Sequence, residues 1–254
     1  ILQAKCEILE DLKEGGTLVL NGDDALLNTV ESKFSTIRCG QSEHCDVRVT
    51  DIADHGVEGI TCKVVTKKGT YALSIPAPGE HMVYSASMAV AVGEVLGLSH
   101  EEIVRGVAAY EPAGSRMRVL RLREGRIILD DCYNANPQSV TAALEVLAKT
   151  ECDRRVAVLG DMGELGALTD QAHYNMGALA AMLGIDYVVA IGTKAAKIAD
   201  GTAQSGGAML HFATKEEAAA ELAQQLGPHT AMLVKASHAM HFGELVAELQ
   251  RRYD

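Results

Sequence analysis

RIILDDCYNANP, residues 126–137, is the stretch of sequence that decides the fold class. Its apolar first half predicts a buried strand over residues 126–132, and the proline at position 137 suits the first turn of a helix. Two carboxylates, two asparagines and a tyrosine are concentrated where the strand ends. Asp and Asn are also ordinary turn and cap residues, so a plain turn is the alternative interpretation.

Alternation of strands and helices continues from this stretch to the end of the chain. It predicts right-handed βαβ crossovers and a parallel sheet, whose ligands bind at the carboxyl ends of the strands. Further strands are predicted at residues 155–160, 187–191, 209–212 and 231–234, and helices at 138–149, 169–183, 194–199, 215–226 and 241–252.

A different pattern precedes Pro112, which predicts two domains, residues 1–112 and 113–254. β-Branched segments in the first domain predict a small antiparallel meander. The predicted elements there are a helix at 1–13, a buried strand at 17–21 ending in a Gly-Asp-Asp turn, the meander strands at 47–50, 59–66 and 70–75, an Ala-rich helix at 83–96, and a helix capped by Ser99 with Glu102.

Composition limits the classes of function. The 254 residues are 48% hydrophobic, enough to bury the core of one large domain or of two ordinary ones. The formal charge of −11 argues against broad attraction to nucleic acid or anionic membranes. No apolar run approaches the about 20 residues that span a bilayer. Six scattered cysteines without a CxxC pair favour incidental reduced thiols in a cytoplasmic protein over a zinc site.

Four shorter motifs carry chemistry beside the opening stretch. GSRM (114–117) places Arg116 in a linker, where its planar guanidinium suits phosphate oxygens, although a solvated linker arginine is the simpler interpretation. LGDMGELG (159–166) is a glycine-rich loop at a strand end without GxGxxG spacing. VKASH (234–238) combines lysine, serine and histidine, which bind carboxylates or phosphates. For His238 by itself, an ordinary structural or solvated histidine is the alternative interpretation. AKCEI (4–8) by itself predicts only a surface lysine at Lys5.

Two further segments, NGDD (21–24) and GEH (79–81), and His173 complete a series of motifs along essentially the whole chain. Together with the motifs above, they resemble the Mur ligase family, and within it the MurF type. The pair DDxYNANP and LGDMxELG is highly specific for this type.

The resemblance implies an α/β protein of three domains: a UDP-substrate domain, a central ATPase domain with a P-loop, and a Rossmann-like C-terminal domain with a mostly parallel sheet. No GxxxxGK[ST] motif occurs in the sequence. Residues 1–112 then correspond to the second part of the central ATP-binding domain, and residues 113–254 to the C-terminal domain. With Ile1 in place of an initiating Met, we expect a fragment that is inactive by itself.

The implied reaction joins D-alanyl-D-alanine to a UDP-N-acetylmuramoyl-tripeptide with ATP and Mg²⁺. ATP phosphorylates the tripeptide carboxylate, the dipeptide amine attacks the acyl phosphate, and a tetrahedral intermediate expels phosphate. Such chemistry relies on positioning and on cations around the phosphoryl oxygens. The resemblance also implies a cytoplasmic monomer with no nucleic-acid partner and no membrane insertion.

Three residues are the predicted catalytic set by their motif positions. Lys5 matches a lysine that the family carries as an N-carbamate, which makes it the predicted support for the metal. Arg116 corresponds to a residue that holds ATP phosphates, and Asp131 to one near the ribose.

Binding residues follow by the same argument. His81 and Asn134 join Arg116 and Asp131 in the predicted nucleotide site, although Met82 and Ser85 stand where relatives carry asparagine near the adenine. Base recognition there would then rest on backbone and apolar contacts. The predicted substrate-binding residues are Tyr133, Asn134, Asn136, Asp161, Lys235, Ser237 and His238, the last of which replaces an arginine of many relatives.

Two rival interpretations remain open. One is another ligase of the same fold, such as a different Mur ligase or a folylpolyglutamate synthetase. The other is a non-catalytic binding module that has lost its P-loop.

Overall fold

The computed structural model describes residues 2–254, so Ile1 of the predicted opening helix lies outside the described residues. The chain forms two compact units, Ile1–Glu111 and Pro112–Asp254. Among the residues described, there is no helix with the length and apolar character needed to cross a membrane.

The first unit is built on a five-stranded mixed sheet in the order β1-β2-β3-β4-β5. The first three strands are parallel, and β3, β4 and β5 form the predicted antiparallel meander. The parallel strand β2 was not predicted, because the polar–apolar alternation in its sequence STIRCG covers only four residues. The strands are β1 Thr17–Asn21, β2 Ser35–Gly40, β3 Val47–Asp54, β4 Ile60–Thr66 and β5 Gly69–Ile75.

Three helices accompany this sheet: α1 Leu2–Cys6, α2 Met82–Val95 and α3 His100–Ala108. The prediction of one helix as far as residue 13 was wrong, since α1 ends at Cys6 and only a 3₁₀ turn follows. No residue of α1 or of this turn is buried, and a helix without tertiary packing gains too little to persist. The predicted capping box of Ser99 with Glu102 is confirmed at the start of α3.

The second unit is built on a six-stranded sheet in the order β10-β9-β8-β11-β7-β6. Five strands are parallel as predicted, and β6 is an unpredicted edge strand antiparallel to β7. Its sequence RVLRL carries two arginines, which suits an edge but gives little strand signal. The strands are β6 Arg118–Leu122, β7 Arg126–Asp131, β8 Arg154–Gly160, β9 Tyr187–Ile191, β10 Met209–Phe212 and β11 Thr230–Lys235.

Helices connect the parallel strands: α4 Pro137–Lys149, α5 Thr169–Met182, α6 Ala196–Gln204, α7 Lys215–Gln225 and α8 Gly243–Tyr253. Helix α6 runs five residues past its predicted end. Its Gly201 lets α6 pack closely against α5, because a Cβ there would lie 2.0 Å from the Tyr174 carbonyl oxygen. Strands β8, β11 and β7 are neighbours at the centre of the sheet, so their carboxyl ends share one edge.

Candidate active site

A buried ion pair joins the ends of β11 and β7. Lys235 is opposite Asp131 in the strand register, and its Nζ lies 2.5 Å from Asp131 Oδ2 and 2.9 Å from the Asn134 carbonyl oxygen. Only 2% of Lys235 is exposed. A buried ammonium is tolerated only when it is paired and hydrogen-bonded, and here both conditions hold. Lys235, predicted to face the dipeptide, therefore directs its charge to Asp131.

The linker motif is tied to the same strand end. Asp131 Oδ1 accepts a hydrogen bond from Met117 N at 3.0 Å, and Tyr133 N donates to the Ser115 carbonyl oxygen at 3.0 Å. Met117 adopts a left-handed conformation with φ 51°. Asp131 thus holds both Lys235 and the linker, so it organises the site as well as bordering it.

Arg116 projects from this linker over the ring of Tyr133, with 3.9 Å between the guanidinium carbon and the ring centroid. Both side chains are exposed. Stacking fixes the plane of a guanidinium while leaving its N–H edge available to an anion. The geometry fits the predicted phosphate contact of Arg116.

Two histidines extend this row of side chains. The ring of His238 lies 5.9 Å from that of Tyr133, and the ring of His241 lies 6.1 Å from that of His238. His241 was not predicted, because its left-handed conformation (φ 53°) after a 3₁₀ turn gives no sequence signal. Arginine and histidine side chains together make a surface suited to phosphate or carboxylate oxygens.

The glycine-rich loop after β8 is held by a buried histidine. His173 Nε2 accepts from Met162 N at 2.8 Å, which leaves the ring proton on Nδ1, and Nδ1 donates to the Thr169 carbonyl oxygen at 2.7 Å. The ring is fully buried. His173 is therefore a positioning residue for Met162 in this loop, a role its sequence position alone did not reveal.

Asp161 and Ser237 meet at the adjacent strand ends. Ser237 N donates to the Asp161 carbonyl oxygen at 3.1 Å, and Asp161 Oδ1 accepts from Ala195 N at 2.8 Å. Gly192 is required beside this carboxylate, because a Cβ there would lie 2.4 Å from Asp161 Oδ1. The two predicted substrate residues are thus held on a rigid framework.

The two asparagines of the opening stretch differ in their engagement. Asn136 Oδ1 accepts from Ser139 N at 2.9 Å and caps α4, the role of an ordinary helix cap. Asn134 is exposed, and its Oδ1 accepts from Ala135 N. For Asn136, the alternative interpretation as a helix cap is confirmed, because its side-chain oxygen accepts the capping hydrogen bond.

Neighbouring buried groups are structural. Asp130 is 1% exposed and pairs with Arg118 at 3.2 Å, while its Oδ1 has no hydrogen-bond partner among residues 2–254. Burial raises the pKa of the Cys132 thiol, which donates to the Val234 carbonyl oxygen. Cys132 is therefore an inert core thiol and not a nucleophile.

The remaining predicted residues, Lys5 and His81, belong to the first unit. Lys5 is exposed on α1, and His81 is exposed directly before α2. Met82 and Ser85 line a cavity of about 300 Å³ between α2 and α3, beside mostly apolar side chains. The two residues that stand where relatives carry asparagine, Met82 and Ser85, therefore border an apolar cavity in the first unit.

The fold defines an α/β protein, and the second unit has a mostly parallel sheet with a cluster of polar side chains at its strand ends. Residues 1–93 match the family model described as Mur ligase middle domain, and residues 115–238 match that described as Mur ligase, glutamate ligase domain. The chain belongs to the Mur ligase family.

Individual relatives agree with this assignment. The UDP-N-acetylmuramoyl-tripeptide–D-alanyl-D-alanine ligase of Bacillus subtilis is 31% identical over 98% of this chain and 54% of its own length. A crystal structure of MurF from Acinetobacter baumannii is 30% identical, with a TM-score of 0.88 over 98% of this chain and 55% of its own. The fold is shared by MurF ligase from Thermotoga maritima in complex with ADP, at 22% identity and TM-score 0.81, over 99% and 58% of the two chains. The chain thus spans about half the length of these relatives.

Proposed function

We propose that the protein encoded by the complete gene is an ATP-dependent ligase of the MurF type. It forms an amide bond between D-alanyl-D-alanine and a UDP-N-acetylmuramoyl-tripeptide, in the cytoplasm and as a monomer. The observation that carries this proposal is the assembly of Arg116, Tyr133, Asp131 and Lys235 at adjoining strand ends. The names of the similar ligases support the choice of substrates.

Residues of the second unit have separate tasks in this proposal. Arg116, with its plane fixed by Tyr133, binds phosphate oxygens and stabilises charge that develops during transfer. Asp131 holds the backbone of the Arg116 linker through Met117 N, and Lys235 neutralises Asp131. His238 and the framework of Asp161 with Ser237 orient the dipeptide.

ATP is the proposed donor of the phosphoryl group that activates the tripeptide carboxylate, and Mg²⁺, when bound, would neutralise charge on the phosphate oxygens. Lys5 fits a supporting role for Mg²⁺ only as a carbamate, because Mg²⁺ prefers oxygen ligands and an ammonium offers none. Its exposure on α1 leaves the amine accessible to dissolved CO₂. We assign residues 1–112 to the ATP-binding domain and residues 113–254 to the C-terminal domain.

The experiment is ATP turnover by the complete protein, measured as phosphate release with and without each acceptor. D-Alanyl-D-alanine should stimulate turnover in the presence of a UDP-N-acetylmuramoyl-tripeptide, and single amino acids should not. Stimulation by one amino acid alone would favour another ligase of this fold, and no turnover would favour a binding module.

A further inference from the structure

Three side chains with different metal-binding groups converge in the first unit. One oxygen of Asp23, one ring nitrogen of His44 and the sulfur of Cys45 all lie within 4.8 Å of one another. Asp23 follows β1, and His44 and Cys45 lie in the connection between β2 and β3. Two loops that are about twenty residues apart in sequence therefore meet through these groups.

The carboxylate is already oriented for ligation. Asp23 Oδ2 accepts from Gln41 N at 2.7 Å and Oδ1 accepts from Ser42 N at 3.1 Å. Hydrogen bonds of this kind fix metal-binding carboxylates, and the thiol proton that Cys45 donates to Oδ1 would leave when a metal binds. The Cys45 sulfur lies 3.8 Å from Asp23 Oδ1, close to the about 3.5 Å that separates O and S ligands on a tetrahedral zinc ion.

The histidine has the matching arrangement. His44 Nε2 lies 2.9 Å from the Gly22 carbonyl oxygen and must carry a proton to bond there, so Nδ1 keeps its lone pair. A metal-binding histidine typically donates its second ring N–H to such a carbonyl. His44 is exposed, so its ring has freedom to close on an ion.

Two glycines keep the space around these groups open. A Cβ on Gly22 would lie 2.6 Å from Cys45 Sγ, and a Cβ on Gly40 would lie 2.6 Å from Asp23 Oδ2. Neither glycine has a left-handed φ, so backbone conformation does not require glycine at either position. Glycine is required at these two positions because a side chain would collide with the Cys45 thiol or the Asp23 carboxylate.

We propose that Asp23, His44 and Cys45 bind one zinc ion, with water as the fourth ligand. A thiolate and an imidazole select zinc over magnesium or calcium. On binding, Cys45 releases its thiol proton to solvent and forms a sulfur–metal bond. The carboxylate and thiolate then balance the charge of the ion, which clamps the two loops together.

Cobalt(II) tests the site, because its thiolate complexes absorb in the near ultraviolet and its tetrahedral complexes in the visible. The chelator-treated, reduced 254-residue chain is titrated with Co²⁺ and then with Zn²⁺. We expect one equivalent of Co²⁺ to give both bands and Zn²⁺ to remove them. Cys45→Ser should abolish the thiolate band, and His44→Gln should weaken binding at least tenfold, while Cys152→Ser in the second unit should titrate as the original chain does.

Absence of a thiolate band at one equivalent, or an unchanged titration in Cys45→Ser, would overturn the proposal. Circular dichroism establishes that each variant is folded. Should Cys45→Ser fail to fold, the original chain still decides: Zn²⁺ must slow alkylation of Cys45 and leave that of Cys152 unchanged, as mass spectrometry of labelled peptides reports. Equal alkylation of Cys45 with and without Zn²⁺ contradicts the site.

Discussion

Removing either partner of the Lys235–Asp131 pair should destabilise the second unit by unequal amounts. The side chain of Lys235 is 1% exposed and that of Asp131 is 15% exposed. Asp131→Ala leaves a fully buried ammonium with only the Asn134 carbonyl oxygen, whereas Lys235→Met leaves a carboxylate that keeps Met117 N and reaches water. Breaking a buried pair costs about 3–5 kcal/mol, so we expect about 5 kcal/mol for Asp131→Ala and about 3 kcal/mol for Lys235→Met.

Hydrogen exchange measured by mass spectrometry on peptides from β7 and β11 reports the free energy of opening in this unit alone. The double variant should lose less than the sum of the two single losses, because the partners are coupled. Lys197→Met is the matched control, since its ion pair with Asp200 is exposed and should leave exchange unchanged. Losses below about 1 kcal/mol for both single variants, as for a surface pair, would refute the reasoning.

Three further predictions concern activity. In the complete protein, Arg116→Ala should lower kcat by about 100-fold or more with little change in the KM for the tripeptide. Arg116→Lys should recover only part of the lost kcat, because a point charge replaces a planar guanidinium. An equal kcat in Arg116→Ala and in the control Arg251→Ala would remove Arg116 from the site. Lys5→Ala should abolish turnover and regain some of it with added short carboxylates, whereas full activity of Lys5→Ala would leave Lys5 a plain surface lysine. The 254-residue chain itself should release no phosphate in response to D-alanyl-D-alanine, because its sequence has no P-loop motif. Phosphate release by this chain that depends on D-alanyl-D-alanine would contradict that expectation.

Local signals in the sequence predicted most of the second unit. Strands β7, β8, β9 and β11 are short apolar runs between amphipathic helices, and Pro137 begins α4 as expected. The edge strand β6 was not predicted, because its two arginines suit a solvent-exposed edge and interrupt the apolar pattern of a buried strand. The end of α6 was misplaced because Gly201 weakens the helix signal in the sequence, whereas in the structure it allows close packing against α5.

Contacts between distant segments were beyond prediction from residues alone. Lys235 and Asp131 are 104 residues apart, and they pair because β11 inserts between β8 and β7 in the strand order. That order depends on the packing of the whole sheet, so VKASH indicated a binding group but not its partner. The buried bond from Met162 N to His173 likewise follows from the way α5 packs beside the loop.

The most direct test of the central claim is mass spectrometry of the product formed by the complete protein. The reaction contains ATP, Mg²⁺, D-alanyl-D-alanine and a set of UDP-N-acetylmuramoyl-tripeptides that differ in their third residue. We expect a UDP-N-acetylmuramoyl-pentapeptide, formed with one phosphate released per amide bond and lost in the Arg116→Ala variant. A product carrying a single added amino acid, or no ligated product with any tripeptide, would contradict the account.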